Sequence, residues 1–274
     1  MTPLSRVWAT AIDVLPVDRV VERRGGYLAV RSPGNPTHYF GNFLLFDDAP
    51  RAGDAPVWEQ LFEDEFADEP RIRHRVLGWD RTDGELGDAR IAFVDRGYLL
   101  DDSIGLLARP EDVRPHPREN REVEIRALDP SGDDELWRGV LELQAANRDA
   151  QHAEERFRAY AGRRLDDYRT HFLHGRGAWY AALDGGGVVA SCGIVATGGR
   201  GRYQAVDTAL SHRSRGIASR LVVAAAGDAA ARHGVLELVI AADANYHALG
   251  LYESLGFVRS EHVHAVWRLP QANG

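Results

Sequence analysis

The sequence predicts an α/β (α+β) fold divided into two mixed-sheet domains. Its 274 residues are long for one compact domain, and 44% hydrophobic with 27% charged residues is sufficient for two cores. The segment 109–118 holds three prolines within eight residues, which fit neither a helix interior nor a central strand. We therefore expect one domain at residues 1–118, ending in this linker, and a second at residues 119–274.

After the linker, strand and helix patterns follow one another in a regular order. Strands, which show alternating apolar residues or flanking turn residues, are expected at 123–128, 178–183, 187–196, 202–210, 235–241 and 258–269. Helices, which show apolar residues at helical spacing, are expected at 131–147, 153–173, 216–233 and 246–255. This order predicts a mixed sheet with one parallel crossover through the helix at 216–233.

Glycines mark two element ends in this half. Asp184-Gly185-Gly186 lies between two expected strands, which predicts a tight hairpin. Gly234 follows the helix at 216–233, and glycine is the residue best suited to a left-handed helix terminus. Both signals are local, so they predict where elements end without reference to the tertiary fold.

Composition excludes several classes of protein. All 33 basic residues are arginine, which excludes a lysine-containing phosphate loop and is typical of GC-rich bacterial genes. The net charge of −8 argues against nucleic-acid partners. The single cysteine, Cys192, lies in an apolar run and permits no disulfide or cysteine metal cluster, so we predict no metal site.

Targeting signals are missing from the sequence as well. The N-terminus lacks the pattern of a signal peptide, and no apolar run approaches the roughly 18 residues of a membrane span. We therefore expect a cytoplasmic protein without membrane partners. The sequence leaves the oligomeric state open.

The junction at residues 203–221 is the first candidate site. A strand ends there, a short loop containing Gly216 follows, and a helix begins. Backbone N–H groups in a first helical turn have no internal partner, and the helix dipole adds positive charge, so a pyrophosphate is a natural ligand. Small residues at Gly216 and Ala218 would let phosphate oxygens approach, with Arg213 and Arg215 at the rim. Alternatively, Gly216 is only a turn residue.

A second motif follows the next expected strand. Asn245 is a residue type that commonly caps a helix start, and Tyr252 lies seven residues later on the same helical face. Leu255-Gly256-Phe257 then closes the helix into the final strand. Alternatively, Tyr252 is an aromatic residue that packs on the sheet.

Together, Arg213-x-x-Gly216-x-Ala218 and Asn245-x-x-Ala248-x-x-x-Tyr252-x-x-Leu255-Gly256-Phe257 resemble the GNAT superfamily of N-acetyltransferases over about residues 120–270. The resemblance implies that acetyl-CoA is the donor and that Tyr252 protonates the departing thiolate. It also implies a set of cofactor-binding residues: Thr208, Leu210, Arg213, Ser214, Arg215, Gly216, Ile217, Ala218, Ser219, Asn245 and Ala248. The backbone of Thr208 and Leu210 would hold the pantetheine arm and polarise the acetyl carbonyl.

The sequence departs from the family pattern where many members carry a basic glutamate. That region reads Arg202-Tyr203-Gln204, so no general base is evident. Asp207, His212 and Glu253 are candidates, each with a structural or solvated role as the alternative. Deprotonation through water and capture of an already neutral amine also stay open.

The first half resembles a degenerate copy of the second. Strands are expected at 27–31, 38–46, 72–79 and 102–108, and helices at 58–66 and 89–95. The segment 93–98 aligns with 252–257, which sets Gly97 beside Gly256 and Phe93 beside Tyr252. Three aspartates, Asp47, Asp48 and Asp54, occupy the loop where a pyrophosphate would sit. We therefore expect this half to bind no CoA, with an unrelated α+β domain as the alternative.

The sequence thus predicts an acetyl-CoA-dependent N-acetyltransferase whose second domain is catalytic. The acetyl group would pass by direct attack to a primary amine, either a small molecule or a protein N-terminus. One alternative is a non-catalytic acyl-CoA-binding or regulatory module, and another is a phosphate-binding α/β domain of a different family.

Overall fold

The computed structural model describes residues 2–149, 153–245 and 248–269. The chain forms two compact units. The first unit comprises Met1–Gly105, Ala241–Tyr246 and Arg259–Gly274, and the second comprises Leu106–Ile240 and His247–Val258. The predicted boundary after residue 118 stays a prediction.

The described residues form seven α-helices and eleven β-strands. The helices are α1 Arg6–Asp13, α2 Asp54–Glu65, α3 Ala89–Ala92, α4 Asp134–Asn147, α5 Glu154–Leu173, α6 Ile217–His233 and α7 Leu249–Ser254. The strands are β1 Val20–Arg23, β2 Tyr27–Arg31, β3 Phe43–Phe46, β4 Arg75–Trp79, β5 Leu99–Ala108, β6 Glu124–Ala127, β7 Gly177–Asp184, β8 Gly187–Thr197, β9 Arg200–Thr208, β10 Glu237–Asp243 and β11 Val258–Arg268. None of these helices is both long enough and apolar enough to cross a bilayer.

The first unit contains a mixed sheet with strand order β1-β2-β3-β4-β11-β5. β3 and β4 are parallel, whereas β11 pairs antiparallel with β4. On one face, α1 places Trp8 over Gly78, where a Cβ atom would lie 2.5 Å from the indole ring. On the core face formed with α2, Trp58 stacks on Phe46 with ring centroids 3.6 Å apart. The C-terminal strand is therefore part of this unit's core sheet.

The second unit contains the strand order β10-β9-β8-β7-β6. All its neighbours are antiparallel except β9 and β10, which are parallel and joined through α6. Trp179 lies on β7 at 0% exposure, and its ring lies 6.1 Å from the ring of Trp137 on α4 and 5.4 Å from that of Tyr168 on α5. The two helices α4 and α5 thus pack against β7 through Trp179.

The predicted fold class and element order of the second half are confirmed. β7 and β8 close through Gly185-Gly186, and Gly234 adopts φ +63° at the end of α6, both as predicted. The strand predicted at 38–46 is wrong in its first part, since only Phe43–Phe46 is extended. The Asn42 side-chain amide donates to the carbonyls of Asn35, Pro36 and His38 at 3.0–3.3 Å, which holds the preceding chain in a turn.

Two elements of the first unit were not predicted. α1 is capped by Ser5, whose hydroxyl accepts a hydrogen bond from the Trp8 N–H at 3.2 Å, and the Glu261 carboxylate binds the Val7 N–H at 3.0 Å. β1 pairs antiparallel with β2. The carboxylate that holds the start of α1 is 254 residues away in sequence, so local patterns could not reveal it.

Candidate active site

The junction between β9 and α6 has the form that the sequence predicts. β9 ends at Thr208, a 3₁₀ turn follows at Leu210–His212, and Gly216 precedes the helix with φ +73°. The Arg220 N–H donates to the Gly216 carbonyl at 3.2 Å, which closes the first helical turn. The amides of residues 217–219 therefore precede the first intrahelical bond and lie at the positive end of the helix dipole.

The predicted cofactor-binding residues of this loop divide into a buried and an exposed group. Ile217 is 1% exposed and Ser219 is 4% exposed, while Ala218 is half-buried between them. The exposed group consists of Leu210, Arg213, Ser214 and Arg215. Ser214 adopts φ +61°, an uncommon conformation for a residue with a side chain. The exposed part of the loop thus carries two guanidinium groups beside the helix start.

Arg213 does not simply extend from the rim as the sequence suggested. Its Nε donates to the Thr208 carbonyl at 3.2 Å, and the Asn147 side-chain amide donates to the same carbonyl at 3.1 Å. Arg213 therefore braces the end of β9. Arg213 and Arg215 are both exposed, and Arg213 is the one held against the backbone.

Gly216 is required for a reason that differs from the predicted one. A Cβ atom at Gly216 would overlap the Arg118 carbonyl oxygen, and the Asn120 N–H donates to the Gly216 carbonyl at 3.1 Å. Gly256 has the same relation to the linker, because its Cβ would overlap the Asp112 carbonyl oxygen. The space beside both motif glycines is therefore filled by the linker backbone.

β9 and β10 separate after a short paired stretch. Their parallel register covers only three pairs, Arg200–Arg202 on β9 with Glu237–Val239 on β10, although β9 continues to Thr208. Within the continuing part, Ala205 and Val206 together oppose Cys192 of β8, and Ala205 adopts φ +43°. This β-bulge bends β9 and changes the direction of its backbone groups. The result is an opening in the sheet just before the α6 junction.

Tyr252 lies on α7 with its side chain packed inward at 4% exposure. Its ring contacts Phe257 edge-on at 6.3 Å, and Phe257 in turn contacts Tyr203 of β9 at 5.9 Å. The structure thus brings Tyr252 to the β9 side of the unit, among aromatic residues.

The predicted helix start at Asn245 is wrong. α7 begins at Leu249 with Ala248 as its N-cap, and the Ala248 carbonyl accepts from the N–H groups of Leu251 and Tyr252 at 3.0 and 3.2 Å. The Asn245 N–H instead donates to the Asp243 carboxylate at 2.7 Å, so Asn245 belongs to the turn after β10. Tyr246 and His247, also assigned to this helix by the sequence, lie outside the described residues.

Gln204 lies in the segment 202–204, the region where a basic glutamate was sought. Its Oε1 accepts from the Tyr168 hydroxyl at 2.7 Å, and the Arg164 guanidinium donates to the same hydroxyl at 2.5 Å. Arg164 also lies over the Tyr168 ring at 4.6 Å. An amide held by this chain of hydrogen bonds orients its neighbours but takes no proton from an amine.

The three alternative bases have different surroundings. His212 is held between the Ser211 hydroxyl at 2.8 Å and the Asp184 carboxylate at 3.2 Å, and Glu253 is exposed on α7. Asp207 is half-buried and accepts from Asn147 at 3.2 Å. Burial raises the pKa of the Asp207 carboxyl, with Asn147 and Arg213 opposing the shift. Burial therefore increases the proton affinity of the Asp207 carboxylate.

The corresponding loop of the first unit has the same helix start and a different charge. Gly53 precedes α2 with φ +92°, as Gly216 precedes α6. Each loop aspartate has a partner: Arg23 for Asp47 at 2.7 Å, Arg81 for Asp48 at 3.6 Å, and the Arg51 backbone N–H for Asp54 at 2.7 Å. The carboxylates of this loop are thus each paired with an arginine side chain or a backbone N–H group of the first unit.

Known structures share this architecture. A conserved protein of unknown function from Staphylococcus epidermidis superposes with a TM-score of 0.70 at 12% identity, over 93% of this chain and 95% of that protein. A GCN5-related N-acetyltransferase from Kribbella flavida gives 0.61 at 17% identity, over 93% and 90%. A tandem GNAT protein from the clavulanic acid biosynthesis pathway gives 0.57 at 14% identity, over 96% and 89%. At these identities the likeness establishes the fold.

Sequence comparison adds the family. No curated protein sequence matches this chain. Residues 175–259 match the family model of the acetyltransferase (GNAT) domain. That range contains the hairpin, the bulged strand, the α6 junction and Tyr252, so the resemblance predicted from the two motifs is confirmed. The chain therefore contains an acetyltransferase (GNAT) domain at residues 175–259.

Proposed function

We propose that this protein transfers an acetyl group from acetyl-CoA to a primary amine by direct attack, with Tyr252 as the general acid. The observation that carries the proposal is the opening between β9 and β10 beside the first turn of α6. An opening at a helix N-terminus presents backbone donors to a pyrophosphate, while the bulged strand presents backbone groups to the rest of the ligand. β9 and the first turn of α6 both belong to the second unit.

In the proposed reaction, amides of Arg215, Gly216, Ile217, Ala218 and Ser219 hold the CoA pyrophosphate. The exposed Arg215 adds charge, and the backbone at Thr208 and Leu210 lies along the pantetheine arm. Asn245, Ser214 and Ala248 complete the proposed contact set, with Arg213 acting through its brace on Thr208.

The chemistry requires two proton movements. The amine nitrogen bonds to the acetyl carbonyl carbon, and the carbon–sulfur bond breaks as electrons pass to sulfur. The Tyr252 hydroxyl gives a proton to the departing thiolate, which has a basicity similar to that of a phenolate. The proton lost by the amine passes to water or to Asp207, whose raised pKa suits it better than an ordinary exposed carboxylate.

The second candidate function is an acyl-CoA-binding or regulatory module without turnover. Gln204 favours it, since an amide stands where a base was sought and is held by Tyr168. The presence of Tyr252 favours the enzyme. A small amine and a protein N-terminus are both acceptors for the proposed enzyme, and the cytoplasm is the location expected from the sequence.

Calorimetric titration with CoA, followed by release of free thiol from acetyl-CoA over a panel of amines, separates the two functions. The enzyme predicts one CoA per chain and thiol release with at least one amine. Binding without release on any amine or N-terminal peptide would favour the module. Failure to bind CoA at all would contradict both.

A further inference from the structure

Two histidines and an aspartate meet in the first unit, on strands adjacent in its sheet. His262 and His264 are alternate residues of β11, so their side chains share one face. Asp102 lies on β5, and its Oδ1 is 2.5 Å from His262 Nε2 and 3.5 Å from His264 Nδ1. One ligand atom from each of the three residues lies within 4.8 Å of the others.

His264 is 2% exposed, and its buried Nδ1 makes no hydrogen bond of good geometry within the described chain. Its Nε2 lies 3.2 Å from the Gly84 carbonyl oxygen, and its Nδ1 lies 3.5 Å from the Asp102 carboxylate, and both oxygens can only accept. A neutral ring has one proton for the two, and we assign it to Nε2 because the Gly84 contact is the shorter. In the neutral ring, Nδ1 then directs a lone pair toward the Asp102 carboxylate.

A lone pair facing an anionic oxygen at 3.5 Å is unfavourable without a cation between them. The Asp101 backbone, which also interacts with this ring, is a further acceptor and does not relieve it. A hydrogen bond from a metal-binding histidine to a backbone carbonyl is the usual way in which proteins orient such a ring. The Gly84 contact has this form.

The spacing suits a small divalent ion. Zinc–nitrogen and zinc–oxygen bonds of about 2.1 Å in a tetrahedral site set the ligand atoms roughly 3.4 Å apart. The separation of 3.5 Å between Asp102 and His264 agrees with this value. The 2.5 Å separation between Asp102 and His262 would need to widen, which the 40% exposed His262 side chain has room to do.

The geometry points to a Zn²⁺ site formed by Asp102 Oδ1, His262 Nε2 and His264 Nδ1, separate from the GNAT domain motifs. Two histidines and one carboxylate form a set that Zn²⁺ takes with water as a fourth ligand. The ion would join β11 to β5 and so hold the C-terminal strand in the sheet of the first unit. Because the ligand atoms must be deprotonated to bind the ion, binding would release protons.

Zinc titration of the full chain, prepared without a histidine tag and freed of metal by a chelator, tests the site. We expect one Zn²⁺ per chain, with proton release and a higher melting temperature. Co²⁺ should give the intense ligand-field bands of a site with low coordination number. His262→Gln and Asp102→Asn remove a ligand with little change in volume, and each should weaken binding by more than the about 10–100-fold that loss of a supporting contact costs.

His212→Gln is the matched control, because His212 and Asp184 form a pair at 3.2 Å without a third ligand. This variant should bind zinc as the wild type does. Far-ultraviolet circular dichroism verifies that each variant is folded. The site is refuted if the wild type binds no zinc, or if folded His262→Gln binds it with wild-type affinity and the same Co²⁺ spectrum; in that case a proton alone joins His264 to Asp102.

Discussion

Residues 93–98 and residues 252–257 form the same turn with different side chains. In the first, the Phe93 carbonyl accepts from the Tyr98 N–H at 3.1 Å, and Gly97 adopts φ +85°. In the second, the Tyr252 carbonyl accepts from the Phe257 N–H at 3.1 Å, and Gly256 adopts φ +104°. The turn needs a glycine with positive φ in both units, whereas only the second retains a phenol at its first position.

The two helix starts repeat this relation. Gly53 and Gly216 both precede their helices in the left-handed conformation. A Cβ atom at Gly53 would meet nothing within 4 Å, whereas one at Gly216 would overlap the linker at Arg118. A left-handed glycine therefore precedes the helix in both units. Linker backbone packs against that glycine at Gly216 of the second unit, and nothing lies within 4 Å of the corresponding position at Gly53. The glycines common to both units therefore maintain the fold, whereas the Tyr252 phenol, which only the second turn carries at that position, serves the proposed reaction.

The largest effect is expected from substituting the first residue of each turn, Tyr252 in the second unit and Phe93 in the first. Tyr252→Phe should lower kcat for acetyl transfer by about 10²–10⁴-fold, because a general acid contributes that much. Its ring packs on Phe257, so melting temperature should change little. Phe93→Tyr in the first unit should leave turnover unchanged. Wild-type turnover by Tyr252→Phe across the pH range, measured by thiol release, would show that the acid role is wrong.

Alanine at the two helix-start glycines should separate backbone strain from linker packing. Gly53→Ala and Gly216→Ala both place a side chain at positive φ, which costs about 1–2 kcal/mol. Gly216→Ala must also displace the Arg118 carbonyl, for which we expect about 1–3 kcal/mol more. Chemical denaturation measures the difference in free energy of unfolding. Equal losses would mean that the linker yields without cost.

Buried titratable groups should give the two units opposite responses to acid. Burial lowers the pKa of His74 in the first unit from 6.5 to about 4. The folded state therefore binds this proton less well than the unfolded chain, and the associated stability is present above pH 6.5 and lost as pH falls toward 4. The loss should reach at most about 3 kcal/mol.

Asp207 in the second unit should behave in the reverse way. Because burial raises the pKa of its carboxyl, its contribution is present below the ordinary carboxyl pKa and is lost as pH rises through the folded pKa. We propose to measure the free energy of unfolding by chemical denaturation between pH 7 and pH 4. As the pH falls, the wild type should lose stability relative to His74→Gln. Over the same range it should gain stability relative to Asp207→Asn. Parallel curves for both variants would contradict the burial argument.

The smallest effect is expected from charge reversal at the two loops. Arg215→Glu should weaken CoA binding about tenfold, or about 1.4 kcal/mol, because it puts a carboxylate beside the pyrophosphate site. Arg51→Glu makes the same change in the loop of the first unit and should not alter binding. Calorimetry at one fixed ionic strength compares them. An equal loss in both would remove the assignment of CoA to the second unit.

The sequence by itself determined the features that depend on local chemistry. Asp184-Gly185-Gly186 closes a hairpin, Gly234 ends α6 and Gly256 ends α7, because glycine alone adopts positive φ without strain. The order of strands and helices in the second half also followed from hydrophobic periodicity. The family was predicted separately, from the resemblance of the motifs at residues 213–218 and 245–257.

Other features depend on contacts between residues far apart in the chain, and only the tertiary structure decided them. The bulge at Ala205 and the early separation of β9 from β10 depend on which strands pair and where. The start of α7 at Leu249 also differs from the local signal at Asn245.

The same holds for β11 and for the linker. β11 lies in the sheet of the first unit, where His262 and His264 meet Asp102, which is 160 residues away from His262. Gly216 is needed because the Arg118 backbone packs against it, not simply because it precedes a helix. Local sequence determines which residues can form turns, cap helices or alternate along a strand. The contacts between residues far apart in the chain depend on how the whole chain packs.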